Sequence, residues 1–378
     1  MVLGDGGLHR RALLRHTKTI VQVLWGRAPD EQESGLDPTD DAGGLMPLLS
    51  NVGSADDVAI RARDLCKHFG TTAAVRGCSF DVRFGEVTGF LGPNGAGKTT
   101  TLKLIVGLLK PSQGSVLVAG RPFAVHRRPA AVLGSMFEQA GFFPGCSARA
   151  HARIVADAVG VSGRRVEEVL DIVGLAAVAR RPVRALSLGM RQRLSLGVAL
   201  LADPPILLLD EPTNGLDPEG IAWFRAFARA QAARGRAVFI ASHLLAEMAQ
   251  SIDHVVVVAE GQIRADCSLS EFIASGAVST EVRTDRPEVL AAALRDRGYD
   301  VHEVAATPGL LVIAGKVADE VGRIAAMAGT PVLALGIREP SLEAIYMAHT
   351  SGASLPMTAG SLDLWGAARD STGSADRR

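Results

Sequence analysis

The sequence predicts an α/β domain with a mostly parallel sheet, followed by a smaller α+β domain. Short apolar runs bounded by polar residues alternate with segments that have the periodicity of a helix. The runs are Ile206–Leu209, Ala237–Ile240 and Val255–Val258. Such runs are typical of strands buried in a parallel sheet with helices on its faces. A glycine-rich segment, Gly92–Thr100, stands between a predicted strand and a predicted helix. After Ser275 an independent pattern of strands and helices begins.

Length and composition permit two folded domains. The chain has 378 residues, of which 47% are apolar, and this is enough for one large core and one smaller core. Lys plus Arg and Asp plus Glu both number 40, so the formal charge balances. This balance argues against nucleic acid as the main partner.

The four cysteines are far apart and form no CxxC pair, so we expect neither a disulfide framework nor a zinc site. This pattern suits a reducing cytoplasm. The sequence contains no run of 18 or more apolar residues, so we predict no membrane-spanning helix. The apolar stretch Ile20–Trp25 is too short for a signal peptide.

Both ends differ in composition from the rest. For residues 1–57 two interpretations stay open: a poorly ordered extension, or a basic amphipathic helix on anionic lipid. The second rests on Arg10, Arg11, Arg15 and Lys18. From residue 353 onward, Gly, Ser, Asp and Arg predict a flexible tail.

Residues 58–275 form the predicted large domain. The segments "VAIRARDLCKHFG" and "CSFDVRFGEVTGFLG" alternate apolar and polar residues, as half-buried strands do. The segment "KTTTLKLIVGLL" opens a helix, and helical patterns recur at Arg164–Val173 and Leu188–Leu201.

Residues 276–352 predict the order βαββαβα, which suits a small ferredoxin-like module. The strands are "STEVRTD", the two arms of "VHEVAATPGLLVIAG" and "VLALGI", and the helices are Pro287–Arg297, Val317–Ala328 and Ser341–His349. No motif assigns chemistry to this module. A role in dimer stability or regulation and a plain packing role both stay open.

The segment "GPNGAGKTT" fits the phosphate-binding P-loop pattern GxxxxGK[ST]. Its candidate nucleotide-binding residues are Gly92, Pro93, Asn94, Gly95, Ala96, Gly97, Lys98, Thr99 and Thr100. Glycines allow the backbone to wrap a triphosphate, and the following helix N-terminus favours an anion. Lys98 supplies a cation to the β- and γ-phosphates, and the hydroxyl of Thr99 is suited to Mg²⁺.

The strand "ILLLDEP" ends in two carboxylates with different predicted roles. Asp210 is placed to hold Mg²⁺ directly or through water, and Glu211 is placed to act as general base toward an attacking water.

Two further motifs narrow the family. "LSLGMRQRLSLGVALL" precedes Asp210, and "ASH", which ends in His243, follows it. This order of motifs resembles the ATPases of ABC transporters over residues Ile60–Gln262. The segments "SLGMRQR" and "EPSLEAIY" are similar to those of bacterial drug- and antibiotic-export ATPases.

The resemblance implies further site residues. Phe69 matches the position of an aromatic residue that stacks on adenine, although a core phenylalanine is the alternative. Ser187 and Gly189 match the signature turn that completes the ATP site of the opposite subunit. Asp217 matches the loop between the two sites, and His243 matches the histidine that contacts the γ-phosphate.

Two positions depart from the family pattern. The signature turn is LSLGM where LSGGQ is usual, but its hydroxyl and second glycine remain. The glutamine that senses Mg²⁺ and the membrane subunit falls on Glu138, with Gln139 beside it. Either residue suits the role.

The resemblance also implies how the protein works. We expect a homodimer that binds ATP and Mg²⁺ at the cytoplasmic face of the membrane, as a peripheral subunit under a separate transmembrane permease. Motion is expected to pass through the helical region Ala148–Val183, and the direction of transport to be export. The alternatives are a soluble ABC-type ATPase of translation or DNA repair, and a non-hydrolysing regulator, which Glu211 and His243 disfavour.

Overall fold

A computed structural model describes residues 57–138, 141–143, 145–304 and 307–351 of the chain. These residues divide into two compact units, one extending to Leu269 and the other beginning at Ser270. The division lies near the predicted domain limit at residue 275. Residues 1–56, the tail from residue 353 and Gln139 lie outside the described residues.

The first unit contains nine of the described strands. They are β1 (Val58–Phe69), β2 (Thr72–Arg83), β3 (Val87–Leu91), β4 (Gln113–Val118), β5 (Leu133–Met136), β6 (Ile206–Asp210), β7 (Ala237–Ser242), β8 (His254–Ala259) and β9 (Gln262–Ser268). Six of them form a sheet in the order β5-β6-β7-β3-β8-β9. All neighbours in it are parallel except β8 and β9.

The remaining strands form a separate antiparallel sheet in the order β2-β1-β4. The sequence predicts β1 and β2, but it predicts neither β4 nor the separation of this sheet from the parallel sheet. The two kinds of strand differ in burial: β3, β6 and β7 are buried at every residue, whereas β1 and β2 mix buried and exposed residues. A strand with one solvated face suits an antiparallel sheet.

Helices connect the strands. They are α1 (Lys98–Ile105), α2 (Pro129–Val132), α3 (Ala148–Val159), α4 (Gly163–Ile172), α5 (Leu188–Ala199), α6 (Pro218–Ala233), α7 (Leu245–Met248) and, at the division between the units, α8 (Leu269–Ala274). Helices α3, α4 and α5 pack on one another, and α6 packs against β3 and β7. The predicted helical region Ala148–Val183 holds α3 and α4.

Three phenylalanines join the two sheets of the first unit. Phe80 on β2, Phe90 on β3 and Phe239 on β7 have ring centroids 5.4–5.7 Å apart. All three are buried, within the same core as the apolar residues of α1. Aromatic packing of this kind fixes the antiparallel sheet against one face of the parallel sheet.

The second unit contains β10 (Ser279–Thr284), α9 (Pro287–Arg295), β11 (Val301–Glu303), β12 (Leu310–Ala314), α10 (Ala318–Met327), β13 (Val332–Arg338) and α11 (Leu342–Ser351). This is the element order that the sequence predicts. The sheet has the order β11-β12-β10-β13, with antiparallel neighbours. Its core includes Val282, Leu290 and Ile313.

Across the described residues of both units, no helix combines the length and the apolar character needed to cross a membrane.

Candidate functional site

The carboxyl ends of three parallel strands bring the candidate residues together. In the ladder, Leu91 at the end of β3 pairs with Ser242 at the end of β7, and Asp210 at the end of β6 pairs with Ala241. Gly92, Glu211 and His243 therefore follow their strands at one edge of the sheet. Ligands of open α/β sheets bind at this edge.

The P-loop packs tightly between backbone segments. A Cβ atom at Gly97, whose φ is +99°, would lie 2.4 Å from the carbonyl oxygen of Ala74. A Cβ at Gly92 would lie 2.3 Å from the carbonyl oxygen of Val258. Only glycine fits at both positions. Residues 93–95 form the exposed tip of the loop, which leads into the N-terminus of α1.

Lys98 is buried at the base of the loop. Its Nζ donates to the carbonyl oxygens of Gly92, at 2.8 Å, and Pro93, at 3.3 Å. The same Nζ lies 3.4 Å from Oε1 of Glu211, whose side chain is also buried. The loop thus holds a buried cation whose neighbours are two carbonyl groups and one carboxylate.

The two carboxylate oxygens of Asp210 differ in their hydrogen bonding. The hydroxyl of Thr99 donates to Oδ2 at 2.9 Å. Oδ1 is buried and has no hydrogen-bond partner among the described residues. The pKa of Asp210 is raised to about 6, mainly by burial and in part by the charges of Glu211 and Glu138. A buried unpaired carboxylate oxygen beside a hydroxyl fits the oxygen ligands that Mg²⁺ prefers.

Glu211 has a strained backbone and a fixed carboxylate. Its φ is +50°, in the left-handed region, which costs a residue with a side chain about 1–2 kcal/mol. Oε2 lies 2.9 Å from Nδ1 of His243. Strain of this kind clusters at functional sites. A carboxylate next to a histidine, beside a cation and a candidate metal site, suits hydrolysis of a phosphoanhydride.

Glu138 also reaches this edge. The side-chain amide of Asn214 donates to Oε1 of Glu138 at 3.3 Å. The charge of Glu138 acts on Asp210, since it contributes to that residue's raised pKa. Gln139 is not described, so the choice between the two residues stays open.

Ser187, Gly189 and Asp217 form a second group. Oγ of Ser187 accepts from the N–H of Met190 at 3.2 Å and caps α5, and Oδ1 of Asp217 accepts from the N–H of Gly220 at 2.8 Å and caps α6. A Cβ at Gly189 would lie 2.9 Å from the carbonyl oxygen of Gly215. No hydrogen bond within the described part of the chain joins Ser187 or Asp217 to the P-loop.

Phe69 lies at the end of β1 and is 49% exposed, so the alternative of a core phenylalanine is wrong. Nζ of Lys67 lies 5.1 Å from the centroid of its ring and donates to the carbonyl oxygen of Lys110. The hairpin that begins at Phe69 continues to Ala74, the residue whose carbonyl borders Gly97. The backbone of this hairpin, five residues after Phe69, therefore borders the P-loop.

Gln192 is a site residue that sequence reasoning missed. It is buried on α5, and its Nε2 donates to the carbonyl oxygen of Glu211 at 3.1 Å. Its position on the helix could have indicated this role. Ser195 and Leu196, three and four residues later, are also buried, so Gln192 lies on the buried face of α5. A polar side chain on such a face needs a buried partner.

Comparisons with known proteins identify similar proteins that are ATP-binding components of ABC transporters. A family model described as "ABC transporter" matches residues 75–214, and one described as a domain of unknown function matches residues 278–343. The bacitracin transport ATP-binding protein of Bacillus licheniformis is 32% identical over 302 residues, which cover 78% of this chain and 98% of that protein.

Two further similarities each cover more than half of this chain. The lantibiotic transport ATP-binding protein SrtF of Streptococcus pyogenes is 35% identical over 54% of this chain and 88% of its own length. A solved structure titled "Structure of ATP binding subunit of ABC transporter" is 27% identical, with a TM-score of 0.52, and the alignment covers 57% of this chain and 91% of that one.

Proposed function

The chain belongs to the ATP-binding subunits of ABC transporters, and from that premise we propose that two copies close on two ATP molecules and drive a separate permease by hydrolysing them. One observation supports the proposal most directly. At one edge of the sheet lie a buried cation, a hydroxyl and a carboxylate suited to bind a metal, and a second carboxylate in contact with a histidine. These groups belong to Lys98, Thr99, Asp210, His243 and Glu211.

Binding of ATP begins at the P-loop. The backbone N–H groups at the start of α1 and the ammonium of Lys98 receive the β- and γ-phosphates. The exposed ring of Phe69 receives the adenine by stacking. Pro93, Asn94 and Gly95, at the exposed tip of the loop, lie where the phosphates enter.

Thr99 and Asp210 would hold Mg²⁺, because Oδ1 of Asp210 is a buried acceptor without a partner among the described residues. Bound there, the ion neutralises charge on the phosphate oxygens. Glu138 or Gln139 supplies an additional oxygen ligand in this proposal.

Hydrolysis uses the two groups beside Lys98. The carboxylate of Glu211 contacts both Lys98 and His243. A triphosphate offers Lys98 a partner of higher charge, which releases the carboxylate to take a proton from the attacking water. His243 then contacts the γ-phosphate and keeps Glu211 in orientation.

The dimer follows from the separate group of Ser187, Gly189 and Asp217. Ser187 and Gly189 match the signature turn that completes the ATP site of the opposite subunit in the family, and Asp217 matches the loop between the two sites, so we assign them to the ATP held by the second copy. Each site is then complete only when the dimer closes.

Sedimentation tests this proposal. With ATP and Mg²⁺, the Glu211→Gln variant should sediment as a dimer, because it binds ATP but hydrolyses it slowly. The Lys98→Ala variant should stay monomeric under the same conditions. A monomeric Glu211→Gln variant in saturating ATP would contradict the proposal.

The names of similar proteins suggest which class of compound is transported. Because similar proteins are named for bacitracin and lantibiotic transport, we propose that this subunit powers export of an antibiotic or a lipid-like compound. The helical region Ala148–Val183 and the loop at Glu138 pass the motion to the permease. Cells that express the chain with its permease should resist bacitracin or a lantibiotic more than cells carrying Glu211→Gln. Equal sensitivity would refute this cargo class.

A further inference from the structure

The peptide that carries Glu211 is anchored at both its N–H and its carbonyl group. The N–H donates to the carbonyl oxygen of Ala241 on β7 at 2.9 Å. The carbonyl oxygen accepts from the N–H of Asn214 at 3.2 Å and from Nε2 of Gln192 at 3.1 Å. Glu211 has a φ of +50°, a conformation that persists only where surrounding contacts fix it.

Gln192 supplies the one side-chain hydrogen bond to that carbonyl among the described residues. Its side chain is only 6% exposed, so water does not replace the bond readily. The glutamine lies on α5, the helix that Ser187 caps and that carries Gly189 in its first turn. One helix therefore bears both the signature turn and a contact to the catalytic peptide of the same chain.

We propose that Gln192 is a positioning residue for ATP hydrolysis. Its amide holds Glu211 in the left-handed conformation that directs the carboxylate toward Lys98 and His243. It also ties this carboxylate to the helix whose start contacts the ATP of the second copy. The inference rests on the proposed function, since it takes Glu211 as the general base.

The substitution Gln192→Met tests the inference, because it removes the donor and retains the length of the side chain. In the full-length chain we expect the kcat of phosphate release to fall about tenfold, the factor that one lost hydrogen bond gives. The KM for ATP should change less than about twofold, because the P-loop contacts are intact. Gln192→Glu, which replaces the donating amide group by an accepting carboxylate, should lower kcat at least as much.

Gln231→Met is the matched control. Gln231 is a buried glutamine on α6 with no hydrogen bond to Glu211, and its substitution should change neither kcat nor KM. Wild-type kcat in Gln192→Met would overturn the inference, as would an equal loss in the Gln231→Met control.

A double-mutant cycle separates positioning from general damage. In a Glu211→Gln background, Gln192→Met should lower the residual rate no further, because the group that it positions is gone. An equal fractional loss in both backgrounds would overturn the inference. Wild-type turnover in Glu211→Gln alone would instead overturn the proposed function.

Discussion

Nζ of Lys98 lies 3.4 Å from Oε1 of Glu211, and both side chains are buried. The cation that we propose to bind phosphate and the carboxylate that we propose to activate water thus neutralise one another. Loss of either charge costs free energy, because the other charge then keeps only its remaining partners. These are the carbonyl groups of Gly92 and Pro93 for Lys98, and His243 for Glu211. Lys98 and Glu211 are therefore coupled, and a substitution at one of them is expected to affect the other.

Removal of the cation should destabilise the nucleotide-free protein. Lys98→Met leaves the buried carboxylate of Glu211 with His243 but without the ammonium group, and we expect the free energy of unfolding of the first unit to fall by about 3 kcal/mol. Urea unfolding without nucleotide measures this. Lys103→Met, on the same helix but without this ion pair, is the control.

The double variant Lys98→Met/Glu211→Gln should recover most of that stability, since neither buried charge then remains. A single variant as stable as the wild type would show that the ion pair is open to water.

Loss of the aromatic ring at the end of β1 should weaken binding of ATP but not of inorganic tripolyphosphate. Phe69→Ala removes the stacking surface, and we expect the Kd for ATP to rise about tenfold. Phe69→Trp should retain the wild-type affinity. Equilibrium titrations with both ligands measure the effect, and an equal loss for both would assign Phe69 to the P-loop structure.

Closure of the dimer should depend on the glycine of the signature turn. A Cβ at Gly189 would lie 2.9 Å from the carbonyl oxygen of Gly215, so Gly189→Ala must displace one of the two segments. In a Glu211→Gln background we expect ATP-driven dimerisation to weaken about tenfold, with unchanged affinity of the monomer for ATP.

Gly145→Ala is the control for this prediction, since a Cβ there meets no atom within 4 Å. Sedimentation across a range of protein concentrations gives the dimer affinity. Equal affinities for Gly189→Ala and Gly145→Ala would contradict the prediction.

Acid should destabilise the protein through a buried histidine. His151 on α3 is 2% exposed and lies against the rings of Phe142 and Phe143. Burial lowers its pKa from 6.5 to about 4. The unfolded chain then takes up the proton first, so stability is lost as the pH falls from 6.5 to about 4 and levels off below. The loss amounts to about 3 kcal/mol.

His151→Leu should flatten this part of the stability profile, because no titrating group remains at the position. His302→Leu, at an exposed histidine, should keep the wild-type profile. Chemical unfolding at several pH values measures both. A wild-type slope in His151→Leu would assign the acid sensitivity to other groups.

Local patterns in the sequence were sufficient to predict the motifs of the candidate site. The spacing of Gly92, Lys98 and Thr99 and the strand that ends in Asp210 and Glu211 depend on the conformation of adjacent residues, which local pattern specifies. The same holds for the element order of the second unit.

Which of these groups meet depends on the packing of the whole unit. The Lys98–Glu211 ion pair and the bond from Gln192 to the carbonyl of Glu211 join segments that are distant along the chain. Packing of strands and helices sets such distances. Spacing along the sequence carries no information about them until the sheet order and the helix faces are fixed.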